Sequence, residues 1–399
     1  MLDFGDMKIL AIETSCDETA VSIVEASGDT EHLQFKVLSH LISSQIKLHA
    51  EWGGVVPSLA KREHARNLLP LLLESLRDSK LINPRQKKTR DNLTIEEAAK
   101  VKRILEREPE LLDRFLQHIP AIKPPAIDLI VVTQGPGLEP ALWVGINLAK
   151  ALSFVWHIPV VPVNHLEGHI LSVLATLNEK QPKINHVKFP VLSLLISGGH
   201  TELVLSKDWL HYQMIGQTRD DAVGEAFDKV ARILNLPYPG GPEISRLADL
   251  ASGHPPEKLP RPMINSNDYD FSFSGLKTAV LYLVKKISPL SQINRVEIAR
   301  EFQQAVIDVL ITKTGQAIKQ YHPKTLIIGG GVVANKTLRE RFSEVIKQHF
   351  TGVKLLVPDL SLSTDNATMI ALAGYLRAQA TKGKIPAREF IAHGTLPLS

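Results

Sequence analysis

The 399-residue chain holds one cysteine, Cys16. That excludes an internal disulfide and a thiolate metal cluster, so any bound metal must rest on histidine and carboxylate. No apolar run approaches the roughly 20 residues that span a bilayer. The opening, MLDFGDMKIL, sets acids before its first apolar run and carries no small-residue cleavage site, which does not read as a secretion signal. The expectation is a cytoplasmic protein without membrane association. An excess of one charge is also missing: 46 Lys and Arg against 42 Asp and Glu leave a net charge of +4. This permits a nucleic-acid partner without arguing for one. Neither the GxGxxG spacing of dinucleotide sites nor the GK[ST] of a P-loop is found.

What is present is ordinary for a globular chain, with 44% hydrophobic and 22% charged residues, and the length suits two to three domains. Apolar runs alternate with amphipathic stretches, the pattern of an α/β fold. Strands are predicted at 8–15, 20–26, 127–134, 158–163, 191–197, 201–206, 325–330 and 354–359, and helices at 142–156 and 299–321. Two segments are rough copies of one device: ILAIETSCDETAVSIV (9–24) and LSLLISGGHTELVLS (192–206) each read strand, polar turn, strand. They predict either two similar lobes closing on a ligand or two unrelated hairpins of one large sheet. Residues 83–125 break the rhythm with a basic run, a Thr94/Glu97 capping box, an apolar face of Ile95, Ala98, Val101 and Leu105, and Pro109 opening a second helix. This reads as an inserted helical hairpin, its charges either a solvated face or a contact for RNA or a partner.

NHLEGHIL (164–171) sets His165 and His169 four residues apart. On a helix both rings share a face and can reach one ion. A zincin places Glu directly after its first His; here Leu166 stands there and Glu167 projects elsewhere. The pair is either metal-binding or two ordinary histidines. A third ligand is available in STDNATMIA (363–371), where one of Ser363, Thr364 and Asp365 is expected to cap a helix while Asp365 can aim into a cleft. Two His and one Asp suit Fe(II), Zn(II) or Mn(II). Gly198 and Gly199 end a strand and let a phosphate approach the backbone. GGGVV (329–333), with Asn335 opening the next helix, suits a nucleotide at a strand's carboxyl end. Glu225 and Asp228 could meet ribose hydroxyls. Cys16 has no neighbouring His or Lys to activate it and reads as structural.

Together, ETSCDET (13–19), HAEWGGVVPSLAKREH (49–64), GPGLEPALWVG (135–145), NHLEGH (164–169), LISGGHTEL (195–203), DDAVGEAFDKVARILNLPYPGGP (220–242), FSFSGLKT (271–278), GGGVVANKTLR (329–339) and STDNATMIA (363–371) resemble the tRNA N6-adenosine threonylcarbamoyltransferase family, once described as O-sialoglycoprotein endopeptidases. The resemblance runs from about residue 7 to about 380. It implies an α/β, two-lobed actin/Hsp70/sugar-kinase-like fold with duplicated ribonuclease-H-like domains. The first lobe is expected at 1–163 and the second at 164–399, with a C-terminal helix at about 365–381 packing back near the lobe interface. It implies transfer of the threonylcarbamoyl group from threonylcarbamoyl-AMP to N6 of the adenosine 3′ to the anticodon, in tRNAs reading A-starting codons, with release of AMP. His165, His169 and Asp365 match the family's metal ligands, with Fe(II) expected ahead of Zn(II). Leu195, Ile196, Ser197, Gly198 and Gly199 match its acyl-adenylate loop, and Asp228, Gly241 and Asn335 its nucleotide contacts. Asp17 matches a polar position near the reaction centre, and its role as proton acceptor is a hypothesis of the chemistry. The implied partners are tRNA, an inactive paralogue and a small P-loop ATPase. The alternatives are an ATP-dependent kinase or ATPase of the same fold, a metallopeptidase lacking its usual base, and a non-catalytic scaffold, which would be expected to lack the HxxxH and Asp set.

Overall fold

The apolar runs fold into two five-stranded sheets of one design. The computed structural model describes residues 6–30, 32–82, 93–175, 186–381 and 390–398. In chain order the first elements are β1 (Met7–Glu13), β2 (Glu18–Ser27), β3 (Gln34–Ser44), α1 (Ile46–Ala50), α2 (Pro57–Asp78), α3 (Ile95–Ile104), α4 (Pro109–His118), β4 (Leu129–Gly135), α5 (Glu139–Trp156), β5 (Val160–Asn164) and α6 (His165–Leu171). There follow β6 (Val191–Ile196), β7 (Thr201–Asp208), β8 (His211–Gln217), α7 (Val223–Ile233), α8 (Gly240–Ala248), α9 (Ser274–Lys286), α10 (Gln292–Tyr321), β9 (Thr325–Gly329), α11 (Lys336–His349), β10 (Lys354–Leu356), α12 (Leu360–Ser363) and α13 (Ala367–Ala380).

The sheets run β3-β2-β1-β4-β5 and β8-β7-β6-β9-β10. In each, three strands form an antiparallel meander, and the fourth and fifth add in parallel beside the first. The two hairpins read from the sequence therefore open two sheets of the same order, which favours duplication over coincidence. The inner strands β4 and β6 are buried almost throughout, as parallel strands covered on both faces must be. Strands β3 and β8 escaped the sequence reading because they are edges with polar, half-exposed residues.

The chain divides into two units: Met1–Leu48, Val55–Ile184 and Asp365–Pro397, and His49–Gly54, Asn185–Thr364 and Leu398–Ser399. In the first, Leu10, Ile12, Ile130 and Val132 pack against Leu68 and Leu72 of α2 and Leu142 and Ile146 of α5. Helices α3 and α4 join that core through Val101, Leu105, Leu111 and Phe115. The Thr94/Glu97 capping box and Pro109 at the helix start are as expected. Ile95 is not on the apolar face: it is 92% exposed, because α3 docks through its second half. The basic run at 83–92 lies outside the described residues.

The opposite face of the first sheet is covered by α13, which also packs on α6. A Cβ on Gly374 would come within 2.2 Å of Val131 Cγ2, so the helix backbone presses directly on β4. Thr368 Oγ1 lies 2.8 Å from both Ser22 Oγ and His40 Nδ1. The expected boundary at 163/164 is thus corrected: α6 and α13 complete the first unit, since their apolar residues are buried against its sheet.

In the second unit Leu192, Leu194, Ile196 and Leu203 pack with Val223, Phe227 and Val230 of α7 and Val306 and Leu310 of α10. One polar group is badly placed there. Glu202 of β7 is buried, its Oε2 meets no hydrogen-bond partner, and burial pushes its carboxyl up to about 7. The unfolded chain ionises this group near its ordinary value of 4.5, so stability falls as pH rises from there through about 7. Glu202→Gln is expected to remove that slope and to be more stable by about 3 kcal/mol at pH 8. Urea unfolding at pH 5 and pH 8 checks it, and a gain no larger at pH 8 than at pH 5 refutes it.

Candidate active site

Helix α6 starts directly after β5. Asn164 caps it, its side-chain oxygen accepting from the Leu166 N–H at 2.8 Å. That fixed turn sets the His165 and His169 rings 4.7 Å apart at 84°, both buried. Asp365 Oδ1 lies 3.4 Å from His165 Nε2 and 3.2 Å from His169 Nε2. All three donor atoms fall within 4.8 Å of one another. The cap of α13 is Asn366, whose Oδ1 accepts from the Met369 N–H at 3.0 Å. The expectation that Ser363, Thr364 or Asp365 caps that helix is corrected, and Asp365 turns its carboxylate to the histidines.

This donor set fits a divalent cation. Ligands bonded at about 2.1 Å stand about 3.0–3.4 Å apart around an ion, which is the spacing of Asp365 from each Nε2. Among the described residues no group meets strict hydrogen-bond geometry at either buried ring nitrogen of His169, although Asp365 stands 3.2 Å from its Nε2. Burial opposes charge on His165, but the Asp365 and Glu13 carboxylates outweigh it and raise its pKa well above the ordinary value. Burial lowers that of His169. Burial likewise works against the Asp365 carboxylate, yet the two histidines hold its pKa far below the usual range. A cation can take the place of the proton that balances these carboxylates.

Glu167 is fully buried and accepts from Arg377 Nε at 2.5 Å. It ties α6 to α13 and is not the base of a peptidase. The ETSCDET turn is clamped by α2: His64 Nε2 lies 2.9 Å from the Cys16 carbonyl and its Nδ1 2.7 Å from Thr19 Oγ1. Since a carbonyl only accepts, Nε2 carries the proton and the Thr19 hydroxyl donates to Nδ1. Asp17 sits buried in this turn, its carbonyl accepting from the Gln45 N–H at 2.9 Å. Burial, then Asp17, Asp365 and Glu18, push the Cys16 thiol well up, which disfavours a thiolate. The sequence reading missed Glu13, which sits behind His165. The available signal was a charged residue ending an apolar strand.

The other predicted residues belong to the second unit. Leu195 and Ile196 end β6, where the register pairs Leu195 with Gly329 of β9, so the glycine-bearing ends of two parallel strands lie side by side. An ideal Cβ on Gly198, Gly199, Gly241 or Gly331 would meet nothing within 4 Å, an open surface of backbone. Ser197 is fixed by its N–H to the His200 carbonyl at 2.9 Å and by the Gly224 N–H to its own carbonyl at 3.1 Å. Asp228 Oδ1 accepts from the Gly240 N–H at 2.7 Å, joining α7 to α8. Asn335 caps α11 and donates to Ser245 and Gln303, both at 2.7 Å. Asp228 and Asn335 thus brace the frame around the open glycines. Glu225 pairs with Lys229 at 2.9 Å.

The family model for TsaD, tRNA N6-adenosine threonylcarbamoyltransferase, matches residues 36–84 and 97–372. The chain belongs to this family. The tRNA N6-adenosine threonylcarbamoyltransferase of Persephonella marina is 42% identical over 374 residues, covering 93% of this chain and 90% of that protein. Those of Bacillus cereus and Kosmotoga olearia are each 42% identical, covering 94% of this chain and 92% and 94% of theirs. Among solved structures, full-length HypF in a phosphate- and nucleotide-bound form aligns with a TM-score of 0.53 at 12% identity. It covers 96% of this chain, which spans 48% of that protein, and it supports the fold. The family match includes His165, His169, Asp365 and the second-unit set, whereas Asp17 precedes it. It resumes at 97 and so takes in α4 and all but the first two residues of α3, leaving 85–96 unmatched. Among the described residues no helix is long and apolar enough to cross a membrane.

Proposed function

We propose that this chain transfers the threonylcarbamoyl group of threonylcarbamoyl-AMP to N6 of the adenosine 3′ to the anticodon in tRNAs reading A-starting codons, releasing AMP. The observation that carries the reading is the convergence of His165, His169 and Asp365 in a member of this transferase family. The adenine amine is a poor nucleophile because its lone pair is delocalised into the ring, so the acyl group must arrive as a mixed anhydride. The N6–C bond forms, the C–O bond to phosphate breaks, AMP leaves with the electron pair, and N6 loses one proton.

His165, His169 and Asp365 would hold the divalent ion, read as Fe(II). Such an ion polarises a carbonyl or phosphate oxygen and stabilises the leaving group. The backbone N–H groups of Gly198 and Gly199 are assigned to charge developing on the donor. Leu195, Ile196 and Ser197 position that loop, and Asp228, Gly241 and Asn335 shape the nucleotide's seat. Asp17 is assigned the amine proton. An Asp17→Asn protein with full transfer activity would remove that role. A splayed anticodon loop is the RNA form that presents the base. An inactive paralogue and a small P-loop ATPase are proposed partners, and the cytoplasm the proposed compartment.

The test is a transfer assay with purified protein, threonylcarbamoyl-AMP and unmodified tRNA, followed by digestion and mass spectrometry. Threonylcarbamoyladenosine is expected, with the paralogue and ATPase added where the protein alone is inert. Absence under both conditions, or phosphate release from ATP without tRNA, would turn the reading to a kinase or ATPase of the same fold.

A further inference from the structure

We propose that Glu13 is a positioning residue that locks His165 in the Nδ1–H tautomer, leaving the Nε2 lone pair directed to the Asp365 side for a divalent cation; this rests on the metal-site reading above. Glu13 is the last residue of β1 and is fully buried. Its Oε1 accepts from the Ser15 N–H at 2.5 Å. Its Oε2 accepts from the Thr133 hydroxyl at 2.5 Å and lies 3.1 Å from His165 Nδ1. Two of these neighbours are donors, so both carboxylate oxygens are already held as acceptors. Thr133 follows Val132, the residue of β4 that pairs with Ile12, so the sheet itself fixes the carboxylate.

The Glu13 oxygens already accept from Ser15 and Thr133, so the facing His165 Nδ1 carries the proton, and with a cation between Nε2 and Asp365 the Nε2 lone pair is the one left to bind it. Ser15 Oγ lies 3.2 Å from the same Nδ1, but a hydroxyl both donates and accepts and cannot choose the tautomer. Among the described residues His169 has no such partner at its Nδ1. One imidazole is therefore set in advance by the sheet, and the other is held on its Nδ1 side by packing alone. Partners of this kind typically change metal affinity 10–100-fold when removed.

The experiment uses the full chain stripped of metal and titrated with Co(II), read by visible absorption, and with Zn(II) by competition. Glu13→Gln keeps the side-chain volume and is expected to weaken Zn(II) binding about 10–100-fold. Thr133→Val keeps the carboxylate but releases it, and a several-fold loss is expected. In the Zn(II)-loaded wild type, 15N-resolved NMR should show His165 protonated at Nδ1 and metal-bound at Nε2, with the Nδ1 proton shifted in Thr133→Val. Should Glu13→Gln fail to fold, Thr133→Val and that proton resonance decide. Wild-type affinity within twofold in either folded variant, metal bound at Nδ1 of His165, or a wild type that binds neither ion overturns the inference. These readouts contain no transfer step. Inactive wild type with the expected affinity losses would remove the transferase reading and leave Glu13's role standing.

Discussion

His165→Ala should lose both tight metal binding and transfer, with activity down about a thousandfold or more. Lewis-acid stabilisation is worth several kcal/mol, and each 1.4 kcal/mol is roughly tenfold in rate. The variant should also be less stable, because His165 stands between two carboxylates, Glu13 and Asp365, and its removal takes the histidine from the buried Glu13 and one of two from the half-buried Asp365. His169→Ala separates the two effects. Its Nδ1 has no hydrogen-bond partner among the described residues, its Nε2 faces Asp365 at 3.2 Å, and burial already favours the neutral ring. Its removal should cost the metal and the activity with a smaller loss of stability than His165→Ala, because Glu13 keeps its histidine partner. Metal content of the purified variants, their melting temperatures and the transfer assay together check this. Full metal occupancy with full activity in either variant would sink the metal-centre reading.

Much of this was legible in the sequence because the signals are local. The buried strands were visible as apolar runs, and the HxxxH spacing needs only one helical turn to become a pair of convergent rings. What stayed hidden depends on contacts between distant segments. Strands β3 and β8 are edges whose side chains meet water, so their apolar pattern is weak. Helix α13 is apolar, but nothing local says which sheet it covers, and the division at 163/164 went wrong there. Asn366 and Asp365 are adjacent and either could cap; only the position of α6 decides that Asp365 faces the histidines. Glu13 reads as the end of a strand until Thr133 and His165 are brought to it. Asp228 and Asn335 illustrate the converse: the motif match marked them for a nucleotide, and their visible bonds hold α7, α8, α10 and α11 in place.

Two glycines at the ends of adjacent strands should respond in opposite ways to substitution. Gly330 has φ +95, and a Cβ there would come 2.5 Å from the Ile196 carbonyl oxygen. Alanine must distort the backbone or push β6 away, so Gly330→Ala should cost about 2–4 kcal/mol in unfolding free energy. Gly198 is different: nothing lies within 4 Å of where its Cβ would be. Gly198→Val should fold within about 0.5–1 kcal/mol of wild type, yet its side chain would fill the space a donor must enter to reach the backbone N–H groups. The expected result is a KM for threonylcarbamoyl-AMP raised at least about tenfold with little change in melting temperature, since a displaced backbone hydrogen bond to a charged group is worth about 1.5–3 kcal/mol. A wild-type KM in Gly198→Val would remove the loop from donor binding, and a wild-type melting temperature in Gly330→Ala would mean that β6 and β9 do not approach so closely in solution. The fold leaves no room for a side chain at the first glycine, and at the second the room it leaves is what the proposed donor would occupy.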